Sequence, residues 1–257
     1  MSAAIRAREL VKTYPGGRGR APVHALDGLS FEVAAGTVFG MLGPNGAGKS
    51  TTTKLLTTLA VPSSGTAAVA GHDIVREPAA VRARIGYVSQ GSAADPVLTA
   101  RENLLLAGRL RGMRATEARR RADALLEELG LAEAASRAAG KHSGGMRRRL
   151  DVAVALMHRP QVLFLDEPTT GLDPESRSAM WAEISRLAAD GGLTVVLTTH
   201  YLEEADRLAD RLMIVDRGRK VVEGTPAELK AAAGARSLDE VYAHYAGRRF
   251  DSEGAAA

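Results

Sequence analysis

Gly43-Pro44-Asn45-Gly46-Ala47-Gly48-Lys49-Ser50-Thr51 satisfies the G-x-x-x-x-G-K-[S/T] pattern of a phosphate-binding loop at every constrained position. The apolar run 37–42 before it reads as a strand. The stretch 52–59 after it, free of Gly and Pro, can open a helix. That strand–loop–helix setting is what the motif requires. Glycines let backbone amides approach phosphates without a Cβ in the way, and a helix N-terminus adds positive potential. Lys49 offers a point charge to the β- and γ-phosphates, and the Ser50 hydroxyl can ligate Mg²⁺. The stretch therefore implies binding of a nucleoside triphosphate.

Working outward, 257 residues suit one large domain or a domain with a subdomain. Hydrophobic residues make up 45% and aromatics only 4%, so the expected core is aliphatic. The absence of cysteine excludes disulfides, thiolate metal sites and a Cys nucleophile, and suits a reducing compartment. The first residues lack the apolar core of a signal peptide. The longest charge-free stretches, 33–48 and 55–71, are interrupted by Gly, Pro, Ser and Thr and cannot span a bilayer. A soluble protein is expected, linked to membranes only through a partner. The net charge of +4 is carried largely by arginine, with clusters at Arg109, Arg111 and Arg114, at 119–121 and at 147–149. A nucleic-acid groove is one reading of them. A solvated helix face, or one near an anionic membrane, is the other and is favoured, because no aromatics interleave for base stacking.

No repeat or low-complexity block interrupts the chain. Residues 5–14 and 29–39 alternate polar and apolar and read as strands, joined through a flexible turn at 15–20. Short strands are expected at 66–70 and 84–89. A helical pattern then runs from about 99 to 135, opened by the capping box Thr99-Ala100-Arg101-Glu102. The nearly unbroken apolar runs 162–165 and 193–197 read as central strands covered on both faces, with 212–215 another strand and a hairpin through 216–222. Capping boxes are read at 225–228 and 237–240, followed by a stripe of Leu238, Val241, Tyr242 and Tyr245 expected to pack on the domain. The fold class is α/β: a mixed sheet around the phosphate loop, with a helical insertion at about 91–150.

Asp166-Glu167 ends the apolar run 162–165. Beside a phosphate loop, such an aspartate holds Mg²⁺ directly or through water, and the adjacent glutamate can act as general base. The alternative is an acidic pair that caps the next helix.

Ser143-Gly144-Gly145-Met146-Arg147-Arg148-Arg149-Leu150 resembles the signature motif of ATP-binding-cassette (ABC) ATPases. The order of the remaining motifs matches that family from about residue 3 to about 230: phosphate loop, lone Gln90, signature, acidic strand end, Gly171-Leu172-Asp173 and His200. The resemblance implies a P-loop NTPase of ABC type, with an ATPase domain at 3–230, a helical subdomain at about 91–150 and a helical tail at 231–257 whose end is disordered. It implies ATP and Mg²⁺ as cofactors and a homodimer closed by ATP, each nucleotide lying between one subunit's phosphate loop and the other's Ser143, Gly144 and Gly145. It places Tyr14 on adenine, where a strand-end core tyrosine is the competing reading. Gln90 would reach Mg²⁺ and the attacking water, His200 the γ-phosphate, and Asp173 the dimer interface. His142 and Met146 depart from the commonest signature, where leucine or tyrosine and glutamine stand.

The stretches 143–151, 199–206 and 238–242 further resemble the daunorubicin-resistance type of exporter ATPase. That type implies an ATP-hydrolysing subunit at the cytoplasmic face of the membrane, driving efflux of a drug, lipid or similar substrate through separate transmembrane permease subunits. A soluble ABC ATPase acting on ribosomes or nucleic acid is the alternative. It normally brings a second cassette or a long coiled coil, neither of which is present, so no nucleic-acid partner is expected.

Overall fold

The computed structural model describes residues 3–16, 21–189 and 192–247. Residues 17–20 of the expected turn, and the end of the tail from 248, lie outside them. In chain order the elements are β1 (Ala3–Tyr14), β2 (Val23–Ala34), β3 (Val38–Leu42), α1 (Lys49–Leu56), β4 (Ser64–Val69), β5 (His72–Asp73), α2 (Pro78–Arg82), β6 (Ile85–Val88) and α3 (Ala100–Leu110). There follow α4 (Ala115–Glu128), α5 (Gly144–Leu156), β7 (Val162–Asp166), α6 (Pro174–Ala189), β8 (Thr194–Thr199), α7 (Leu202–Leu208), β9 (Arg211–Asp216), β10 (Arg219–Gly224), α8 (Pro226–Ala233) and α9 (Leu238–Ala246).

The strands form two sheets, and the one that carries the phosphate loop is mixed, as expected. An antiparallel sheet runs β2-β1-β4-β5, and a six-stranded sheet runs β10-β9-β3-β8-β7-β6. In the latter β9, β3, β8, β7 and β6 are parallel, and β10 is antiparallel at the edge. β3, which leads into the phosphate loop, therefore lies between β8 and β9. Its five residues are all buried, as are those of β7 and β8, so the unbroken apolar runs do mark doubly covered strands. Successive side chains feed different cores. Leu163 and Leu165 join the helices α3–α6, while Val162 and Phe164 join the core between the two sheets. There Phe31 and Phe39 stack with centroids 5.6 Å apart.

Where local pattern and structure differ, turns and packing explain it. The expected strand 29–39 is broken at 35–37, because Gly36 turns at φ +75° and sends β3 into the other sheet. The helical run 99–135 stops at Leu110, turns through Gly112 at φ +76°, and resumes as α4. The boxes at Thr99 and Thr225 are complete, each side chain capping worth about 1 kcal/mol. That at Ser237 is half formed: Ser237 accepts from the Glu240 amide, but the Glu240 carboxylate turns to the Arg236 amide. The stripe on α9 packs as expected, with Leu238, Val241 and Tyr242 buried against Leu42, Leu212 and Ile214.

Candidate ATP-binding and hydrolysis site

The loop 43–48 and the start of α1 form one wall of a cleft of about 330 Å³. Its lining comprises Tyr14, Val23, His24 and Ala25 from the antiparallel sheet, Asn45 to Thr51, and Gln90 and Glu167. Sequence segments more than a hundred residues apart thus meet on one space.

The glycines serve different ends. A Cβ at Gly43 would lie 2.2 Å from the Val215 carbonyl, so this glycine lets the loop lean on β9. Gly48, at φ +110°, would bring a Cβ within 2.7 Å of the Ala25 carbonyl. Gly46, at φ +80°, has open space where a Cβ would stand and supplies only a left-handed turn in the cleft lining. The Lys49 ammonium is 4% exposed and donates to the carbonyls of Gly43 (2.7 Å) and Pro44 (3.1 Å). Burial lowers its pKa, and Glu167, then Asp166, oppose that shift. Glu167 Oε1 lies 3.9 Å away.

Ser50 Oγ donates to Asp166 Oδ1 at 3.2 Å, and Thr198 Oγ1 bonds to the same oxygen. This pair of hard oxygens suits Mg²⁺, which takes one or two protein ligands and completes its shell with water and substrate phosphates. Among the described residues no group of three or more His, Cys, Asp and Glu could hold a metal ion by itself.

Glu167 is buried and stands at φ +49°, a left-handed backbone that non-glycine residues adopt only when their surroundings impose it. Its amide donates to the Thr198 carbonyl (3.1 Å), and Thr170 Oγ1 donates to Oε2 (3.2 Å). His200 Nδ1 is 3.2 Å from Oε2 but off the direction of a hydrogen bond, so the contact is a close polar approach. Neither acidic residue caps the next helix. Asp173 does that, its carboxylate accepting from the Ser176 amide (2.9 Å) and hydroxyl (2.7 Å), which hold its pKa down.

Ser143, Gly144 and Gly145 open α5 outside this cleft. Ser143 Oγ caps the helix by accepting from the Met146 amide at 3.2 Å. Gly144 and Asp173 flank Leu172, and Gly145 packs against Ser176. His142 is buried with no hydrogen-bond partner for either ring nitrogen. The subunit thus gathers Tyr14, the loop, Gln90, Asp166, Glu167 and His200 in one region, and the signature with Asp173 in another.

Three features escaped the sequence. Thr198 donates to the Asp166 carboxylate and accepts from the Glu167 amide, from a strand end that reads as merely polar. Arg148, within a run expected to be solvated, is buried among backbone carbonyls. His24 lines the cleft mouth. The one available signal was the Arg148/Asp151 charge pair, three residues apart on a helix otherwise rich in apolar side chains.

The family model for ABC transporters matches residues 26–170. Daunorubicin/doxorubicin resistance ATP-binding protein DrrA of Streptomyces peucetius is 50% identical over 250 residues, 97% of this chain and 73% of that protein. The chain belongs to the ABC transporter family. Nod factor export ATP-binding protein I of Paraburkholderia xenovorans is 46% identical over 230 residues, 90% of this chain and 73% of that one. Among solved structures, an ATP-binding subunit of an ABC transporter superposes with TM-score 0.81 at 29% identity, covering 95% of this chain and 99% of its own. A dimeric ATP-binding cassette in a post-hydrolysis state with ADP and phosphate does so with TM-score 0.77 at 27% identity, over 86% of this chain and 98% of its own. As an ABC ATPase subunit, the chain binds ATP.

Proposed function

We propose that this chain is the ATP-hydrolysing subunit of an ABC exporter, driving a separate membrane permease that moves a drug, lipid or similar substrate. One observation carries the reading: in a chain of this family, Lys49, Ser50, Gln90 and Glu167 line one cleft, with Asp166 bonded to Ser50. Relatives named for daunorubicin and doxorubicin resistance and for Nod factor export favour export over action on ribosomes or nucleic acid. Among the described residues no helix is long and apolar enough to cross a membrane. In this reading the permease holds the chain at the cytoplasmic face.

The loop amides of residues 46–50 and Lys49 bind the β- and γ-phosphates, while Tyr14 stacks on adenine at the cleft mouth. Ser50 and Asp166, joined by Gln90, hold Mg²⁺, which when bound neutralises phosphate charge. Glu167 takes the proton of the attacking water, and His200, whose Nδ1 lies 3.2 Å from that carboxylate's Oε2, contacts the γ-phosphate and holds the catalytic geometry. Ser143, Gly144, Gly145 and Asp173 act across a homodimer that ATP closes.

Two outcomes test this assignment. Tyr14→Ala should weaken ATP binding by about 1–2 kcal/mol, a stacking-sized loss, with turnover of the bound nucleotide retained. Unchanged affinity, measured with a fluorescent ATP analogue, would make Tyr14 a strand-end residue only. Secondly, the chain should fractionate with membranes only when co-expressed with a cognate membrane permease. Co-sedimentation with ribosomes in the absence of such a protein would favour the alternative.

A further inference from the structure

Helix α5 carries two buried side chains of opposite charge for which the cleft itself has no use. Arg148 is 7% exposed, and its described hydrogen bonds all run to main-chain carbonyls. Nε donates to Pro168 (2.8 Å), Nη2 to Asp166 (3.0 Å) and Glu167 (3.2 Å), and Nη1 to Ser89. Asp151, also buried, accepts at Oδ1 from Ser92 Oγ and the Ala93 amide, both at 2.9 Å, and from the Ala94 amide at 3.2 Å. Gln90 therefore lies between two anchor points, Ser89 and Ser92, that are both fastened to α5.

The same guanidinium holds the carbonyl side of Glu167. The Thr198 carbonyl already holds its amide side, so the left-handed backbone at φ +49° is pinned from both ends. Taking a guanidinium out of water is costly, and no carboxylate lies within ion-pair distance of this one among the described residues. Burial lowers the Arg148 pKa, with Asp151 and then Asp166 the charges that counter it. Such a buried cation, spanning two strand ends with a planar fork, is suited to fixing geometry, which a lysine point charge cannot reproduce.

We propose that Arg148 and Asp151 are positioning residues for hydrolysis, through which the helix opened by Ser143–Gly145 sets both the Gln90 segment and the backbone of Glu167. A displacement of α5 is then felt at once on two sides of the attacking water. This rests on the roles given above to Gln90 and Glu167. Neither positioning residue bonds to the phosphate loop, so nucleotide binding and hydrolysis should separate.

The test compares the intact chain with Arg148→Lys, Asp151→Ala, Asp151→Asn, Gln90→Ala and the Gln90→Ala/Arg148→Lys double variant. ATP affinity, kcat, KM and thermal unfolding are measured for each. Arg148→Lys and Asp151→Ala should lose about 10–100-fold in kcat, as misplacement of reacting groups does, with ATP affinity and melting temperature held. Asp151→Asn keeps an oxygen able to accept the same three bonds and should restore most of that loss. The double variant should lose less than the product of the single losses, because both act on one element. Wild-type kcat in Arg148→Lys would overturn the inference. So would losses that simply multiply with Gln90→Ala, a fall in ATP affinity and melting temperature alongside kcat, or an Asp151→Asn variant as impaired as Asp151→Ala. Glu167→Gln run in parallel separates the two levels. If it turns over normally, the assigned hydrolysis roles fail. If it is inactive while Arg148→Lys is normal, only the positioning role does.

Discussion

Glu167→Gln should bind ATP as the parent chain does and hydrolyse it at least about 10²-fold more slowly, the scale of a lost general base. The substitution preserves size and leaves an oxygen to accept from Thr170, whose hydroxyl is 3.2 Å from Oε2. The Lys49 ammonium, 3.9 Å from Oε1, keeps its two carbonyl partners at Gly43 and Pro44 and still presents its charge to phosphate. The variant therefore loses proton acceptance without losing the cradle. If ATP closes a homodimer, the blocked step should trap it, so the variant should elute as a dimer on size exclusion with ATP and as a monomer with ADP. Turnover close to that of the parent chain would remove Glu167 from the role of base.

A mixture of two inactive variants, Lys49→Ala and Gly144→Asp, should regain ATPase activity. Lys49→Ala withdraws the buried charge beside the phosphate positions and should abolish hydrolysis. Gly144→Asp leaves that loop intact and puts a carboxylate where the partner's γ-phosphate would dock. Two like charges about 4 Å apart repel by roughly 4 kcal/mol at an effective dielectric near 20, enough to prevent a nucleotide-driven dimer from closing. Gly144 is the better site than Gly145. A Cβ at Gly145 would meet Ser176 Oγ at 2.8 Å, whereas at Gly144 it meets Leu172 Cδ2 at an ordinary 3.6 Å. An acidic residue in the first turn of α5 also suits the helix dipole, so the variant should fold. A mixed dimer pairs one intact loop with one intact signature across a single interface, and both defects fall on the other site. Full activity of Gly144→Asp alone, or a silent mixture, would sink the shared site.

Much of the molecule was legible in the chain because its signals are local. The loop pattern and the capping boxes at Thr99 and Thr225 depend on spacings of a few residues, and doubly covered strands announce themselves as apolar runs. The misreadings came where a short-range pattern was extended past a break. Gly36 and Gly112 ended elements whose side-chain periodicity ran on, because backbone sign at a glycine is decided by where the next element must pack. Arg148 was misjudged for a related reason: a run of three arginines on a helix looks solvated until the neighbouring strand end supplies carbonyls.

By itself the sequence determined the chemistry on offer: a phosphate cradle with Lys49 and Ser50, an acidic strand end at Asp166-Glu167, and an order of motifs that names the family. Only the tertiary structure decided which of these groups meet. Ser50 reaches Asp166 across 116 residues of chain, and Arg148 reaches Ser89 across 59. It also decided that Asp173, rather than the acidic pair, caps α6, and that the signature lies apart from the cleft in its own subunit. The reason is physical. Phosphate-loop and capping geometry are closed within one or two turns of backbone. The juxtaposition of carboxylates, hydroxyls and a buried guanidinium is set by strand order and by how the helices pack onto the sheet.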